Sequence, residues 1–192
     1  GPPYIAGDVS NIGHGESLYR KVFETPEWVV YENRNCLPRA FTVSKLIPVR
    51  GIHEVRFLFE TFQINPSETA LVNEDDLRKI GRSDFVKGTT IIEKYDANRI
   101  VIRSNVTGGP SFLVLSDQYF PGWKAFVDGK ETPIYKVHEI ARGIVIPEGE
   151  HKVEFIYRPW KIYISIVIGA VTFVACIVVV FMLSERDKRN HS

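Results

Sequence analysis

Residues 111–137 read SFLVLSDQYFPGWKAFVDGKETPIYKV. Three β-rich runs, 111–116, 124–127 and 132–137, are parted by Pro121-Gly122 and Asp128-Gly129. Asp-Gly between such flanks signals a two-residue hairpin, because a type I′ turn needs positive φ at both central positions. Outward from this stretch, residues 89–95, 99–106, 143–146 and 152–157 are further runs of the same kind. Asp96-Ala97-Asn98, Gly108-Gly109-Pro110 and Pro147-Glu148-Gly149 separate them. Strands at this spacing, with no helix between them, predict an antiparallel β-sandwich, jelly-roll-like in character.

Upstream the pattern is mixed. Residues 28–31 predict a short strand, and Phe41, Val43 and Ile47 another, closed by Pro48. Residues 51–62, GIHEVRFLFETF, fit a strand through Val55, Phe57 and Phe59, or a helix face through Ile52, Val55, Phe59 and Phe62. We read a helix, ended before Asn65-Pro66. Residues 70–72 look extended, and EDDLRKI (74–80) predicts a short helix with acids at its N-terminal end. Residues 1–27 are rich in Gly, Pro and polar residues, with Leu18, Val22 and Phe23 as their apolar cluster. They predict turns and one short helix, an irregular segment continuing from an upstream part. The expected fold is mainly β, with one or two short helices.

The C-terminal region differs in kind. Residues 162–183, IYISIVIGAVTFVACIVVVFML, contain no charged side chain. At about 1.5 Å per residue this run matches a hydrocarbon core of roughly 30 Å. It predicts a transmembrane helix over 161–183, with Trp160 and Tyr163 at the interface and Arg158 and Lys161 beside them. The tail 184–192, SERDKRNHS, is assigned to the cytoplasm, which leaves 28–160 as an extracytoplasmic domain. Basic residues nearly balance across the span, so charge decides this orientation weakly. Residues 1–20 lack the basic and apolar regions of a signal peptide. A longer parent membrane protein, ending in this chain, would supply the export route. Cys36 and Cys176 would then lie in different compartments and are not expected to pair.

Composition narrows the function. The 24 Lys and Arg against 23 Asp and Glu give a net charge of +1, which argues against a nucleic-acid partner. The five histidines lack ligand-like spacing, so no metal site is expected, and no cofactor is assigned to this segment. Asp117, Asp128, Glu131 and Glu139 include a conceivable glycosidase pair, with turn and surface acids as the plain alternative. Ser116-Asp117 lacks the glycines of a nucleophile elbow, and Asp117 is read as ordering the loop that follows it. Tyr119, Phe120 and Trp123 surround Pro121-Gly122. Such aromatics stack on a sugar ring, or they plug one end of a sandwich around a type II turn. With Asp117 they form the candidate substrate-binding set, and no residue is assigned as catalytic.

Three stretches carry a resemblance: NRNCLPRAF (33–41), FLVLSDQYFPGWKAFVDGKETPIYKV (112–137) and ARGIVIPEGEHKVEFIYRPW (141–160). Their Leu-Pro-Arg-Ala-Phe, Leu-Ser-Asp-x-Tyr-Phe-Pro-Gly-Trp-Lys-Ala and Pro-x-Gly-x-His-x-Val-x-Phe-x-Tyr motifs occur in order. Together they resemble the C-terminal region of YfhO-type bacterial membrane proteins, from about Tyr31 through the terminal span. Cys36 stands where alanine is usual, and the join WKIYIS lacks the frequent glycine. The resemblance implies a large polytopic parent, similar to glycosyltransferases of the GT-C architecture. Such enzymes use polyprenyl-phosphate-linked sugars on the outer face of the bacterial cytoplasmic membrane to modify envelope polymers such as teichoic acids. It also implies that chemistry resides in loops outside this chain. The expected partners are the lipid bilayer, the upstream membrane part, and a glycan or envelope polymer. A stand-alone anchored carbohydrate-binding module, or a structural module, is the alternative.

Overall fold

The computed structural model describes residues 4–6 and 19–190. The strands are β1 (Tyr4–Ala6), β2 (Tyr19–Glu24), β3 (Val29–Asn33), β4 (Ala40–Val43), β5 (Lys45–Val49) and β6 (Thr69–Asn73). They continue with β7 (Thr89–Tyr95), β8 (Arg99–Val106), β9 (Ser111–Leu115), β10 (Trp123–Val127) and β11 (Lys130–Thr132). The last three are β12 (Tyr135–Val137), β13 (Ala141–Ile146) and β14 (Gly149–Tyr157). Helices are α1 (Ile52–Phe62), α2 (Glu74–Ile80) and α3 (Trp160–Asn190).

The fold is mainly β, with a five-stranded sheet, β11-β10-β14-β8-β7, and a six-stranded sheet, β4-β9-β13-β12-β6-β5. One apolar core joins them: Ile100, Ile102, Val153 and Phe155 from the first meet Leu113, Leu115, Ile144 and Ile146 from the second. On the outer face of the six-stranded sheet, Phe112, Val114 and Val137 form a second core with Phe85, against which Leu77 and Ile80 of α2 pack. β9 is therefore buried on both faces, which accounts for its unbroken apolar run. Gly143 lies opposite the Phe112 ring, where an added Cβ would come within 2.5 Å of it.

The Asp128-Gly129 hairpin forms as its sequence dictates. Val127 pairs with Lys130, and the two turn residues have φ of 50° and 80°. The expected run 132–137 is instead two strands. Pro133 cannot donate to a ladder, and the chain breaks there, leaving β11 in the five-stranded sheet and β12 in the other.

Three further expectations are corrected. Residues 41–48 are two strands rather than one, joined by Ser44, with Pro48 inside β5. Pro48 is tolerated because β5 terminates the ladder and has one strand neighbour. The sheet is not purely antiparallel, since β5 and β6 run parallel, Lys45 opposite Thr69 and Leu46 opposite Ala70. A parallel pair needs a crossover, and α1 supplies it. Val55 of α1, with Leu58 and Phe59 beside it, packs on Val49 and Leu71. Finally, residues 19–24 are strand, not helix, in a separate sheet of order β1-β3-β2. The expectation for 1–3 and 7–18 lies outside the described residues.

The margins of the six-stranded sheet, β4 and β5, are one residue apart in sequence, so the sheet curls until they approach. β4 is tied to the other sheet by Thr42, whose hydroxyl donates to Gly88 O at 2.8 Å, and by Thr90, whose hydroxyl donates to Ala40 O at 2.9 Å. β5 is flanked by residues 83–85, with Leu46 N donating to Ser83 O and Phe85 N to Ser44 O.

α3 follows β14 after Arg158 and Pro159. Its described side chains, Trp160 and 164–179, are all exposed. Among the described residues, no helix is long and apolar enough to cross a membrane.

Candidate functional site

The strand pairings bring several loops to one end of the two-sheet body. Tyr95 lies opposite Ile100, Trp123 opposite Tyr157, Leu115 opposite both Arg142 and Ala40, and Val137 opposite Ala141. Residues 96–98, 116–122 and 138–140 therefore share this end with the start of α3. A cleft of about 390 Å³ opens here, lined by Asp117, Gln118, Phe120, Trp123, Arg142 and Tyr157 together with Tyr95 and Asn98.

Asp117 is the hub. Its carboxylate accepts from Arg39 Nη1 at 3.0 Å, from Arg142 Nη2 at 3.1 Å and from the Tyr95 hydroxyl at 2.9 Å. The backbone fixes its position: Ser116 N donates to Arg39 O, and Asp117 N to Leu115 O, both at 2.7 Å. Its side chain is 11% exposed and that of Arg142 is 3% exposed. Desolvating two charges is costly, and close pairing with further hydrogen bonds offsets that cost.

Arg142 is held by aromatic faces as well. Its guanidinium lies 4.1 Å from the Trp123 ring centre and 5.5 Å from that of Phe155. Nε and Nη1 are buried without a hydrogen-bond partner. The π face of Trp123 provides electrostatic attraction in place of an acceptor. Burial pulls the Arg142 pKa below the ordinary guanidinium range, opposed by Asp117 and Tyr95. Burial is also the main cause that raises the Tyr95 hydroxyl, followed by its hydrogen bond to Asp117. Arg39 is raised chiefly by its hydrogen bond to the same carboxylate, and it stacks 4.8 Å from the Tyr95 ring centre.

The aromatic loop divides in two. Phe120 O accepts from Trp123 N at 3.5 Å across Pro121-Gly122, and Gly122 has φ of 108°, the positive value that a type II turn demands. Trp123 turns inward, with its ring 5.4 Å from Tyr157. Tyr119 and Phe120 remain exposed, Phe120 with its ring 6.4 Å from Tyr157. Trp123 thus closes the sandwich end while Phe120 forms part of the cleft wall.

The other acids are engaged separately. Asp128 Oδ2 meets His151 Nδ1 at 2.6 Å, and its Oδ1 accepts from Lys152 N at 2.8 Å. Glu131 pairs with Lys124 at 2.9 Å, and Glu139 with Lys136 at 2.5 Å. Asp117 is thus not joined by Asp128 or Glu131, which line a second concavity beside the β10–β11 hairpin. Among the described residues, no group of His, Cys, Asp and Glu could hold a metal ion. Cys36 and Cys176 are free thiols.

Arg142, Tyr95 and Tyr157 escaped the sequence reading as site residues. Arg142 had a signal, because a lone cation inside the apolar run 140–146 needs a buried counter-ion. Tyr95 and Tyr157 had none, since each ends an ordinary strand.

The sequence profile described as "Bacterial membrane protein YfhO" matches residues 52–169, which takes in α1, α2, the whole five-stranded sheet, the six-stranded sheet apart from β4 and β5, and the first part of α3. No curated protein and no solved structure matches the chain. With the match covering more than half its length, the chain belongs to the YfhO family of bacterial membrane proteins.

Proposed function

We propose that residues 28–160 form an extracytoplasmic glycan-binding domain of a GT-C-like glycosyltransferase, and that 161–183 are its last membrane span, followed by a cytoplasmic tail. The domain positions the acceptor, an envelope polymer or glycan, while sugar transfer from a polyprenyl-phosphate donor occurs in upstream parts of the parent. The observation that carries this reading is the cleft. It sets the rings of Phe120, Trp123 and Tyr157 beside Asp117, Asn98 and Gln118. Flat apolar faces next to convergent polar groups suit a sugar ring, whose C–H face stacks and whose hydroxyls hydrogen-bond. Support for the span comes from the sequence run 162–183 together with the exposed apolar side chains of α3, such as Ile168, Val171 and Phe173. Exposed apolar surface of that extent calls for a nonpolar environment.

The test is a titration of the full chain in lipid nanodiscs with teichoic-acid fragments and neutral oligosaccharides, read by tryptophan fluorescence. Saturable binding that weakens about fivefold in Phe120→Ala supports the reading; loss of one stacking contact is worth about 1 kcal/mol. Binding that is absent, or indifferent to Phe120→Ala, removes it.

A second reading rests on Asp117. Through Tyr95 and Arg142 it links both large sheets, so the same network suits a domain that braces neighbouring catalytic loops without touching a glycan.

A further inference from the structure

The cleft end carries a feature that glycan binding does not require. Phe120 is 54% exposed and Ile140 63% exposed, and Tyr119 N donates to Ile140 O at 2.6 Å, holding their two loops side by side. Trp160, which opens α3, is 60% exposed. At the opposite end, the turns 107–110 and 147–149 read TGGP and PEG and present no large apolar side chain.

Only Arg158 and Pro159 separate β14 from α3. Two residues span at most about 7 Å. The connection is shortened further by Arg158 N, which donates to Gly122 O at 2.6 Å. The polar headgroup layer on each side of a bilayer is about 5–7 Å thick. A helix entering the hydrocarbon at about residue 162 therefore brings the 116–122 loop down to that layer. Amphipathic aromatics beside Arg158 and Lys161 match its chemistry.

We propose that this end of the domain is itself an interfacial surface. Tyr119, Phe120 and Ile140 enter the headgroup layer of the bilayer that α3 crosses, so the cleft opens onto the membrane surface and takes ligands presented from it. The inference rests on 162–183 being a span. Lipid is favoured over a covering protein surface because the patch adjoins α3 within a two-residue connection, and the backbone of the cationic residue Arg158 is tied to its loop through Gly122 O.

The test uses the full chain in vesicles of phosphatidylcholine and phosphatidylglycerol. With the native cysteines replaced by serine, an environment-sensitive fluorophore is attached in turn at Phe120→Cys, Ile140→Cys and, as the far-end control, Thr107→Cys. A fourth sample, Cys36→Ser, carries the fluorophore on the native Cys176 within α3. Lipids bearing a headgroup nitroxide quench probes in the interface, and lipids with a nitroxide deep in the acyl chain quench probes in the core. The expected result is at least twofold stronger headgroup quenching at positions 120 and 140 than at 107, with acyl-chain quenching at 176. If 120 and 140 are quenched no more than 107 while 176 is quenched, the domain stands off the membrane and the surface proposal is overturned, with the span intact. Blue-shifted but unquenched probes at 120 and 140 mean that protein covers the patch, which also overturns it. If 176 escapes quenching, the span reading fails and the proposal falls with it.

Discussion

The guanidinium of Arg142 lies 4.1 Å from the centre of the Trp123 ring, and this stacking couples the candidate cleft to the sandwich core. Arg142 stands on β13 of the six-stranded sheet and Trp123 on β10 of the other. Asp117, which pairs with Arg142, thereby fixes the loop that carries Phe120.

Asp117→Asn is expected to destabilise the fold by about 3 kcal/mol, because it leaves the buried Arg142 charge without its counter-ion. Arg142→Lys should cost less but still measurably, since an ammonium keeps the charge and loses the planar stack. Chemical denaturation of the two variants checks the order; equal, negligible effects would mean the network contributes nothing.

Trp123 and Phe120 should separate in their effects. Trp123→Ala is expected to lower stability by about 3 kcal/mol, in line with truncation of a packed aromatic. Phe120→Ala, at an exposed position, should stay within about 0.5 kcal/mol while affecting binding. Thermal melts of both, beside the glycan titration, make the comparison.

His138 supplies a pH dependence. Burial pushes its imidazole down to about 4 from an ordinary 6.5, and its Nδ1 accepts from Leu71 N at 3.4 Å. The unfolded chain therefore binds the extra proton between pH 6.5 and pH 4. Stability is complete above 6.5 and falls with pH through that window, by at most about 3 kcal/mol. In His138→Asn, which tolerates the positive φ of this turn, the slope of stability against pH should flatten.

His151 has the opposite sign. Its hydrogen bond to Asp128 raises its pKa above 6.5, and the Asp128 carboxyl is lowered in return. The His151 contribution is therefore complete below the ordinary imidazole range and is lost as pH rises through its raised folded value, whereas the Asp128 contribution is lost as pH falls through its lowered one, so the pair stabilises in the window between them. Asp128→Asn keeps a residue that accepts the turn's φ and should bring the His151 titration, followed by NMR, back towards the ordinary imidazole range.

Gly143→Ala should cost about 2 kcal/mol. The added methyl meets the Phe112 ring and a methyl of Val137, both in the packed core, where overfilling forces side chains off their rotamers. A denaturation midpoint indistinguishable from wild type would show that Phe112 moves aside freely.

The two short helices were legible because their signals are local. EDDLRKI carries acids first and bases last, and Gly81 closes it with a left-handed cap. The hairpin at Asp128-Gly129 was legible for the same reason. The parallel pairing of β5 with β6 was not, because neighbours in a sheet depend on contacts distant in sequence, and the downstream hairpins all point to antiparallel partners. β2 was misread because its side chains are largely exposed and show no core-facing period. At the site, the aromatic loop announced itself through composition, whereas its division into an inward Trp123 and an outward Phe120 depends on Arg142, which stands on the opposite sheet.

The meeting of β4 and β5 at Ser44 bears on how this chain avoids pairing with its own copies. Open strand margins recruit other chains and lead to aggregation. Here Thr42 and Thr90 cover one margin, residues 83–85 cover the other, and Pro48 interrupts the remaining row of donors. With both cysteines free, resistance to self-association comes from the curl of the sheet and not from covalent cross-links.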